Sequence, residues 1–456
     1  MSRCRTWSKP KRHVRAERCA GASALKVIVS LLSTPPLSLY VHFPWCVRKC
    51  PYCDFNSYTL HGELDERRYV EALERDLEAQ AREVSAREVV SVFFGGGTPS
   101  LFSPEGLGRV IAAARRHLML APDAEVTMEA NPGAIERGKF GEYRAAGLTR
   151  VSLGAQSFDS ERLKVLGRIH SPDETRRAAH ELHAAGLTNF NLDLMYALPG
   201  QDVRGAIEDV EQALALAPAH LSHYQLTIEA GTVFAGQPPP LPDDDVAEDM
   251  LAECGARLVA SGFERYEVSA YARAGKQCGH NLNYWNFGDY LGVGAGAHGK
   301  VTFPAIPAQV PDQAPGPSAT LVPGTASHPG LARRGSIVRT LQLREPRRYL
   351  ANIPALVTRN PVPSHELPFE FMLNALRLVD GFEQALFTER TGLDWSTIEA
   401  QVQALVGRNL LEQAGTRWRP TAQGLTFLNE LLLSFVSESR RESSKNAGGF
   451  GLSTAL

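Results

Sequence analysis

Three cysteines, Cys46, Cys50 and Cys53, lie in PWCVRKCPYCDF (44–55), directly after the apolar run SLYVHF (38–43). A C-x3-C-x2-C spacing puts three sulfurs on one tight loop, and thiolates ligate both zinc and iron–sulfur clusters. A structural zinc site takes four ligands, so zinc would need a distant histidine such as His42 or His280 to complete it. A four-iron cubane held by three thiolates leaves one iron without a protein ligand. That is the open position a metal centre needs to take a reactant. The x3-x2 spacing departs from the paired C-x2-C of zinc ribbons and favours the cluster.

Further groups with chemical use follow other short runs. GGGTPS (95–100) stands after VVSVFF, and glycines without Cβ atoms let main-chain N–H and C=O groups approach a ligand, though a tight turn would use them equally well. Glu129, Gln156 and Asp193 sit at or near the ends of three more runs, and Arg168, in LGRIH, offers a cation for a carboxylate. The run QCGHNLNYW (277–285) sets His280 beside Tyr284 and Trp285, with His298 shortly after in a glycine-rich stretch. Imidazole is a common ligand of heme iron and the two aromatics offer flat surface to a macrocycle. The same residues also suit a hydrogen-bonded loop histidine next to two core aromatics.

These groups need a scaffold that brings the ends of several runs together. From residue 37 onward, β-rich runs at 38–43, 89–94, 124–129, 150–155, 189–195 and 220–228 alternate with helical stretches; Tyr69, Val70, Leu73, Leu77 and Val84 form one such apolar face. Strands alternating with helices imply a parallel sheet. Without a dinucleotide fingerprint, six units read as an α/β partial (β/α)6 barrel, whose chemistry collects at the carboxyl ends of the strands. Cys254 shares a helical apolar stripe with Met250, Leu251 and Leu258 and reads as core.

The chain divides accordingly. Residues 1–33, with eight basic residues and one acid, read as a flexible basic segment; 34–235 as the partial barrel; 236–303 as its extension, bearing the histidine motif. Residues 304–337 read as a proline-rich disordered insertion, 338–436 as a small helix-rich, winged-helix-like module covering one end of the barrel, and 437–456 as a disordered tail. The 456 residues allow two or three structural units. Lys plus Arg number 48 and Asp plus Glu 50, so there is no global pull toward nucleic acid, and any membrane contact would be peripheral. Seven cysteines, an odd number with three crowded together, point to metal chemistry in a reducing compartment, here the cytoplasm.

The C-x3-C-x2-C loop and GGGTPS together resemble the radical S-adenosylmethionine (SAM) superfamily. LSLYVHFPWCVRKCPYCDFNSY, EANPG, LGRIH, NLDLMYALPG and HNLNYWNFGDYLGVGAGAHGKVTFP, across residues 37–303 and again 369–435, resemble relatives of oxygen-independent coproporphyrinogen III oxidase. The resemblance implies a [4Fe-4S] cluster on Cys46, Cys50 and Cys53, with S-adenosyl-L-methionine chelating the open iron and its sulfonium cleaved by the cluster's electron. It implies Tyr40, Tyr52, Gly96, Gly97, Thr98, Glu129, Gln156, Arg168 and Asp193 as contacts of that cofactor. True oxidases of this kind carry a further cysteine two positions after the third, where this chain has Phe55. The family's heme-chaperone branch lacks that thiol and associates HNxxYW with heme. It therefore implies heme on His280, with His298 and Cys278 as second choices, passed to an acceptor apo-hemoprotein such as one of a respiratory chain. The alternative is a radical enzyme that oxidatively decarboxylates a tetrapyrrole such as coproporphyrinogen III. A cluster-bearing scaffold without either task would have no use for an open iron.

Overall fold

The computed structural model of the chain describes residues 32–84, 87–133, 138–304, 335–353 and 357–437. The basic N-terminal segment up to residue 31, residues 305–334 of the proline-rich stretch and the tail from 438 lie outside these residues.

Six β/α steps lead the fold. Strands β1 (Leu37–Phe43), β2 (Glu88–Gly96), β3 (Met119–Ala130), β4 (Arg150–Gln156), β5 (Phe190–Tyr196) and β6 (His220–Gln225) are parallel neighbours in chain order. Each run picked out by its β-forming residues is one of these strands. The last stops at Gln225, three residues earlier than its apolar pattern suggests, because Leu226 and Ile228 turn aside into a small cluster with Tyr52 and Phe234.

The sheet continues on both sides. Beyond β6 run the short antiparallel strands β7 (Glu264–Glu267) and β8 (Ala270–Ala272). On the other side β9 (Asp289–Val293) pairs parallel with β1, followed by antiparallel β10 (His298–Phe303), β11 (Ser336–Leu341) and β12 (Thr358–Pro361). The twelve-stranded order is β12-β11-β10-β9-β1-β2-β3-β4-β5-β6-β8-β7, an open sheet not closed into a barrel. Phe303 and Ser336 are direct register partners, so the proline-rich stretch joins adjacent strand ends. Strand β11 belongs to the main sheet, although residues 338–341 fall within the stretch expected to form the C-terminal module, because it pairs along its whole length with β10.

Side-chain alternation separates two faces. Leu37, Leu39, Val41 and Phe43 of β1 are fully buried on the outer face, with Val92, Phe94, Met128, Val151, Leu153, Leu192 and Leu221 in the same core. Helix Glu66–Ala81 covers this face with Tyr69, Val70, Leu73 and Leu77; Asp65 caps its first turn. Helix Pro104–His117 begins at Ser103, which caps Gly106 N and itself donates to Glu66, and helix Pro172–Ala184 opens on a Ser171/Glu174 capping box. The inner face is polar: Ser38, Tyr40 and His42 on β1, Glu125, Thr127 and Glu129 on β3, Ser152 and Gln156 on β4, Asn191 and Asp193 on β5. A second core, with Phe369, Phe371, Met372, Phe387, Val402, Leu405 and Trp418, forms the C-terminal module, whose small sheet pairs RWRP (417–420) with Leu411–Ala414 and Phe382–Glu383.

Strand β9 is anchored by a buried charge cluster. Asp289, fully buried, accepts from Lys300 Nζ at 2.9 Å, Arg87 at 2.9 Å and both Thr302 N and Oγ1. Burial pushes its pKa up, but Lys300 and Arg87 outweigh that and hold the carboxyl below its ordinary value. Removing one member of a buried cluster strands its partners. Asp289→Leu is therefore expected to cost about 3–5 kcal/mol, seen as a lowered urea midpoint. Arg82→Ala, which removes an exposed pair with Glu78, is expected to cost at most about 1 kcal/mol.

Candidate functional site

The thiol loop is positioned from β1 and β2 together. After Phe43 the chain forms a two-residue strand, Trp45–Cys46, parallel to Tyr58–Thr59. Gly97 N donates to Phe43 O at 2.6 Å and Thr98 N to Trp45 O at 2.8 Å, so the end of β2 clasps the entry to the loop. A Cβ on Gly97 would fall 2.5 Å from the Trp45 carbonyl oxygen, which is why this position takes glycine. Cys53 N closes a turn onto Cys50 O at 3.2 Å. On the far side the LGRIH turn packs against Pro51: Gly167 has φ +70°, and a Cβ there would meet Pro51 Cδ at 2.7 Å.

All three thiols are free and partly buried, and all three line one cavity of about 850 Å³ at the carboxyl ends of the parallel strands. Gly96, Gly97, Thr98, Tyr52, Glu129, Gln156, Arg168 and Asp193 line the same cavity. Of the cofactor contacts expected from the sequence, Tyr40 alone stands outside. Its hydroxyl bonds His42 Nδ1 at 2.9 Å and its ring stacks on Phe93, so it orients His42. Burial, then the other two thiols, raise the pKa of Cys46 against a hydrogen bond from Thr98; burial likewise raises that of Cys53. The Arg168 guanidinium reaches Cys50 Sγ at 3.7 Å, donates to Gly154 O at 2.9 Å and bonds Asn131, which in turn donates to Thr98 Oγ1.

Two carboxyls, Glu129 and Asp193, line the cavity. Burial, then the charge of Asp193, push the pKa of Glu129 up to about 8, although Gly96 N donates to it at 3.0 Å. Asp193 is also raised by burial, against hydrogen bonds from Ser152 at 3.0 Å and Asn191 at 2.7 Å. Gln156 adopts φ +66° at a break in the β4 register and accepts from Tyr224 OH at 2.7 Å. Ser152, Ser222 and Tyr224 were not singled out from sequence; the alternation along β4 and β6 places them on the inner face. The lids of the cavity, Leu373, Arg377, Leu428 and Leu432, come from the C-terminal module and carried no sequence signal.

The fit to a cluster is chemical. Among the described residues no three His, Cys, Asp or Glu side chains converge on a single ion. One zinc requires all its ligand atoms at about 2.0–2.3 Å from one point, whereas cubane thiolates bind separate irons. Both histidines that zinc could have recruited are engaged: His42 with Tyr40 and Asn56 O, His280 with Ser91 and Tyr284.

The histidine motif lies away from this cavity. Residues 279–285 form a helix, Gly279–Trp285, packed inside the sheet, its first N–H groups received by Glu125. His280 is 1% exposed; Nδ1 bonds Ser91 Oγ and Nε2 bonds Tyr284 OH, each at 2.9 Å, and Phe93 stacks on the ring. Burial lowers its pKa to about 3. Where the sequence led one to expect an axial ligand, both ring nitrogens are occupied. Cys278 is also buried, with its thiol on Glu125 and its pKa pushed up to about 12 by burial and that carboxylate. Asn283 ties the helix to Ser38 Oγ and Asp289 O. Trp285 carries Arg377 over its ring at 4.4 Å, and Arg377 pairs with Glu267 at 3.1 Å. His298, by contrast, is exposed.

The Radical SAM superfamily model matches residues 40–217 and the HemN C-terminal domain model residues 362–427. The heme chaperone HemW of Escherichia coli (strain K12) is 44% identical over 90% of this chain and 100% of its own length. The heme chaperone HemW of Haemophilus influenzae is 41% identical over 89% and 99%. The mitochondrial radical S-adenosyl methionine domain-containing protein 1 of Bos taurus is 35% identical over 88% and 87%. Among solved structures, coproporphyrinogen III oxidase (HemN) from Escherichia coli, a radical SAM enzyme, superposes with TM-score 0.69 over 90% of this chain and 92% of its own, at 20% identity, a likeness of fold. The clasped thiol loop, the open parallel sheet and these matches lead to one conclusion: the chain belongs to the HemW family of heme chaperones, within the radical SAM superfamily.

Proposed function

We propose that the chain is a cytoplasmic heme chaperone that carries a [4Fe-4S] cluster and S-adenosyl-L-methionine, binds heme and delivers it to an acceptor apo-hemoprotein such as one of a respiratory chain. The observation that carries the cofactor half is the convergence of three free thiols and eight further expected contacts on one cavity. Cys46, Cys50 and Cys53 would hold the cluster. When bound, it supplies an iron with an open coordination position and one electron. Gly96, Gly97 and Thr98 line the cavity beside the thiols and would receive the methionyl amino group; Glu129, Gln156, Arg168 and Asp193 would take the ribose, adenine and carboxylate, and Tyr52 would lie against the adenine. Arg168 also sets a cation 3.7 Å from Cys50 Sγ, beside the sulfur that would hold the cluster.

The heme half rests on the family, and on Phe55. That side chain is 57% exposed on the thiol loop, where the related oxidase has its further cysteine. It supports delivery of a tetrapyrrole over its decarboxylation. Among the described residues no helix is long and apolar enough to cross a membrane, so a membrane-bound acceptor would be met from the surface.

Anaerobic reconstitution with iron and sulfide, followed by hemin titration, tests both halves. Wild type is expected to take up about four irons per chain and then to show a saturable Soret band. Alanine at any of Cys46, Cys50 or Cys53 is expected to abolish the iron chromophore, while Phe55→Ala retains it. Full iron loading in Cys50→Ala would overturn the cluster assignment; protoporphyrinogen formed from coproporphyrinogen III by wild type would overturn the chaperone reading.

The raised Glu129 carboxyl gives a pH signature before any cofactor is bound. A carboxyl ionising near 4.5 unfolded but near 8 folded favours the folded state below pH 4.5, and that contribution is lost as pH rises through 8. Apo-protein is expected to lose stability between these values, and Glu129→Gln to flatten the slope, as read from urea midpoints across pH 5–9. Identical slopes in the two proteins would place the Glu129 carboxyl in water.

A further inference from the structure

Gln156 is the cavity residue whose backbone is hardest to hold. It ends β4 at φ +66°, in the left-handed region, where a residue with a Cβ stays only if its neighbours fix it. Its side chain lies over Gly154, where a Cβ would stand 2.9 Å from Nε2, and Tyr224 OH donates to Oε1 at 2.7 Å. Nε2 makes no hydrogen bond among the described residues, and Gln156 lines the cavity, so the amide keeps its donors for a ligand there.

The chain is gripped on both sides of this residue. Ahead of it, Arg168 donates to Gly154 O at 2.9 Å and His170 Nε2 bonds Ala155 O at 3.1 Å. After it, the grip is a single buried carboxylate, Asp209, on the face of helix Val203–Ala215 that also buries Ala206, Val210 and Ala213. Oδ1 of Asp209 accepts from Phe158 N at 2.6 Å; Oδ2 accepts from Ser157 Oγ at 2.8 Å and Gln201 Nε2 at 3.2 Å. Gln201 Oε1 in turn accepts from Leu198 N at 3.1 Å, so the same carboxylate reaches the turn after β5. Asp209 makes no ion pair among the described residues, and a buried carboxylate without a paired cation is costly unless donors satisfy it. Its donors here are the two residues directly after Gln156 and one at the next strand end. Burial pushes its pKa up to about 6 against these bonds, so above pH 7 the group is ionised and both oxygens accept.

Resting on the reading of the cavity as the SAM site, we infer that Asp209 is a positioning residue for that cofactor: it pins Ser157 and Phe158 and thereby holds Gln156 in the left-handed turn that keeps its amide on the cavity wall. Asp209 is not among the residues that line the cavity, so it acts only through Gln156. Without the carboxylate the 156–158 turn is free to relax toward ordinary strand backbone. The amide must then be ordered when the cofactor binds, and that ordering weakens binding.

The test is calorimetric titration of SAM into iron-loaded protein, with iron content and melting temperature measured in parallel. Asp209→Asn keeps the shape of the side chain and the acceptor for Phe158 N, and Ser157→Ala removes only the bond next to Gln156. Val210→Ala, the neighbouring buried position on the same helix, takes away core packing without touching the turn and serves as the control for lost stability. Expected is a loss of SAM affinity of about tenfold in Asp209→Asn and a smaller loss in Ser157→Ala, both at wild-type iron content. Val210→Ala is expected to lower the melting temperature and keep wild-type affinity. In a Gln156→Ala background Asp209→Asn is expected to add little, since the residue it positions is gone. Wild-type affinity in Asp209→Asn overturns the inference, as does an equal loss in Val210→Ala or a fully additive loss in the double variant; where Asp209→Asn does not fold, Ser157→Ala decides. No SAM binding by iron-loaded wild type overturns instead the cofactor reading on which it rests.

Discussion

Two main-chain hydrogen bonds, from Gly97 and Thr98 to the carbonyls of Phe43 and Trp45, fix where everything else can be. They pass from the end of β2 to the chain leaving β1, and therefore tie the thiol loop to the sheet through main-chain groups that every residue but proline carries. The demand they make is spatial: the backbones must approach closer than any Cβ permits at residue 97. From that fixed point the Cys50–Pro51 segment meets the LGRIH turn, which delivers Arg168 to Cys50, and Asn131 links Arg168 back to Thr98. Three strand ends are thus closed into a ring of polar contacts around the thiols. The cavity does not depend on flexible loops finding one another.

Much of this was legible in the sequence because each signal was local. Six β-rich runs alternating with helical faces give a parallel sheet in chain order, and the residues that interrupt the apolar pattern at strand ends are those that line the cavity. What stayed hidden depends on partners distant in the chain. DYLGV (289–293) sits in a glycine-rich stretch and becomes a parallel strand only because β1 has a free edge beside it. Tyr40 belongs to the right run and the inner face, yet its hydroxyl is spent on His42, which no spacing rule reveals. His280 stands in the most suggestive motif of the chain, but the same hydroxyls that make a site look polar, Ser91 and Tyr284, are what satisfy its ring.

The helix that carries this motif shows how the polar inner face of the sheet finds its hydrogen-bond partners. Ser38, Ser91 and Asn283 bond one another and His280, while Glu125 receives the helix N-terminus and lies near Arg150, which is 1% exposed. Trp285 then meets Arg377, whose own partner Glu267 belongs to the main sheet. The C-terminal module is consequently held over the cavity mouth through a guanidinium clamped between an indole and a carboxylate.

The register of β10 against β11 has a different kind of consequence. Because Phe303 faces Ser336 directly, the chain between them begins and ends at one point on the sheet. The entropy of closing such a loop grows only as the logarithm of its length, about 0.6 kcal/mol for each doubling. The two strand ends at Phe303 and Ser336 therefore tolerate residues added or removed between them at little cost to the sheet.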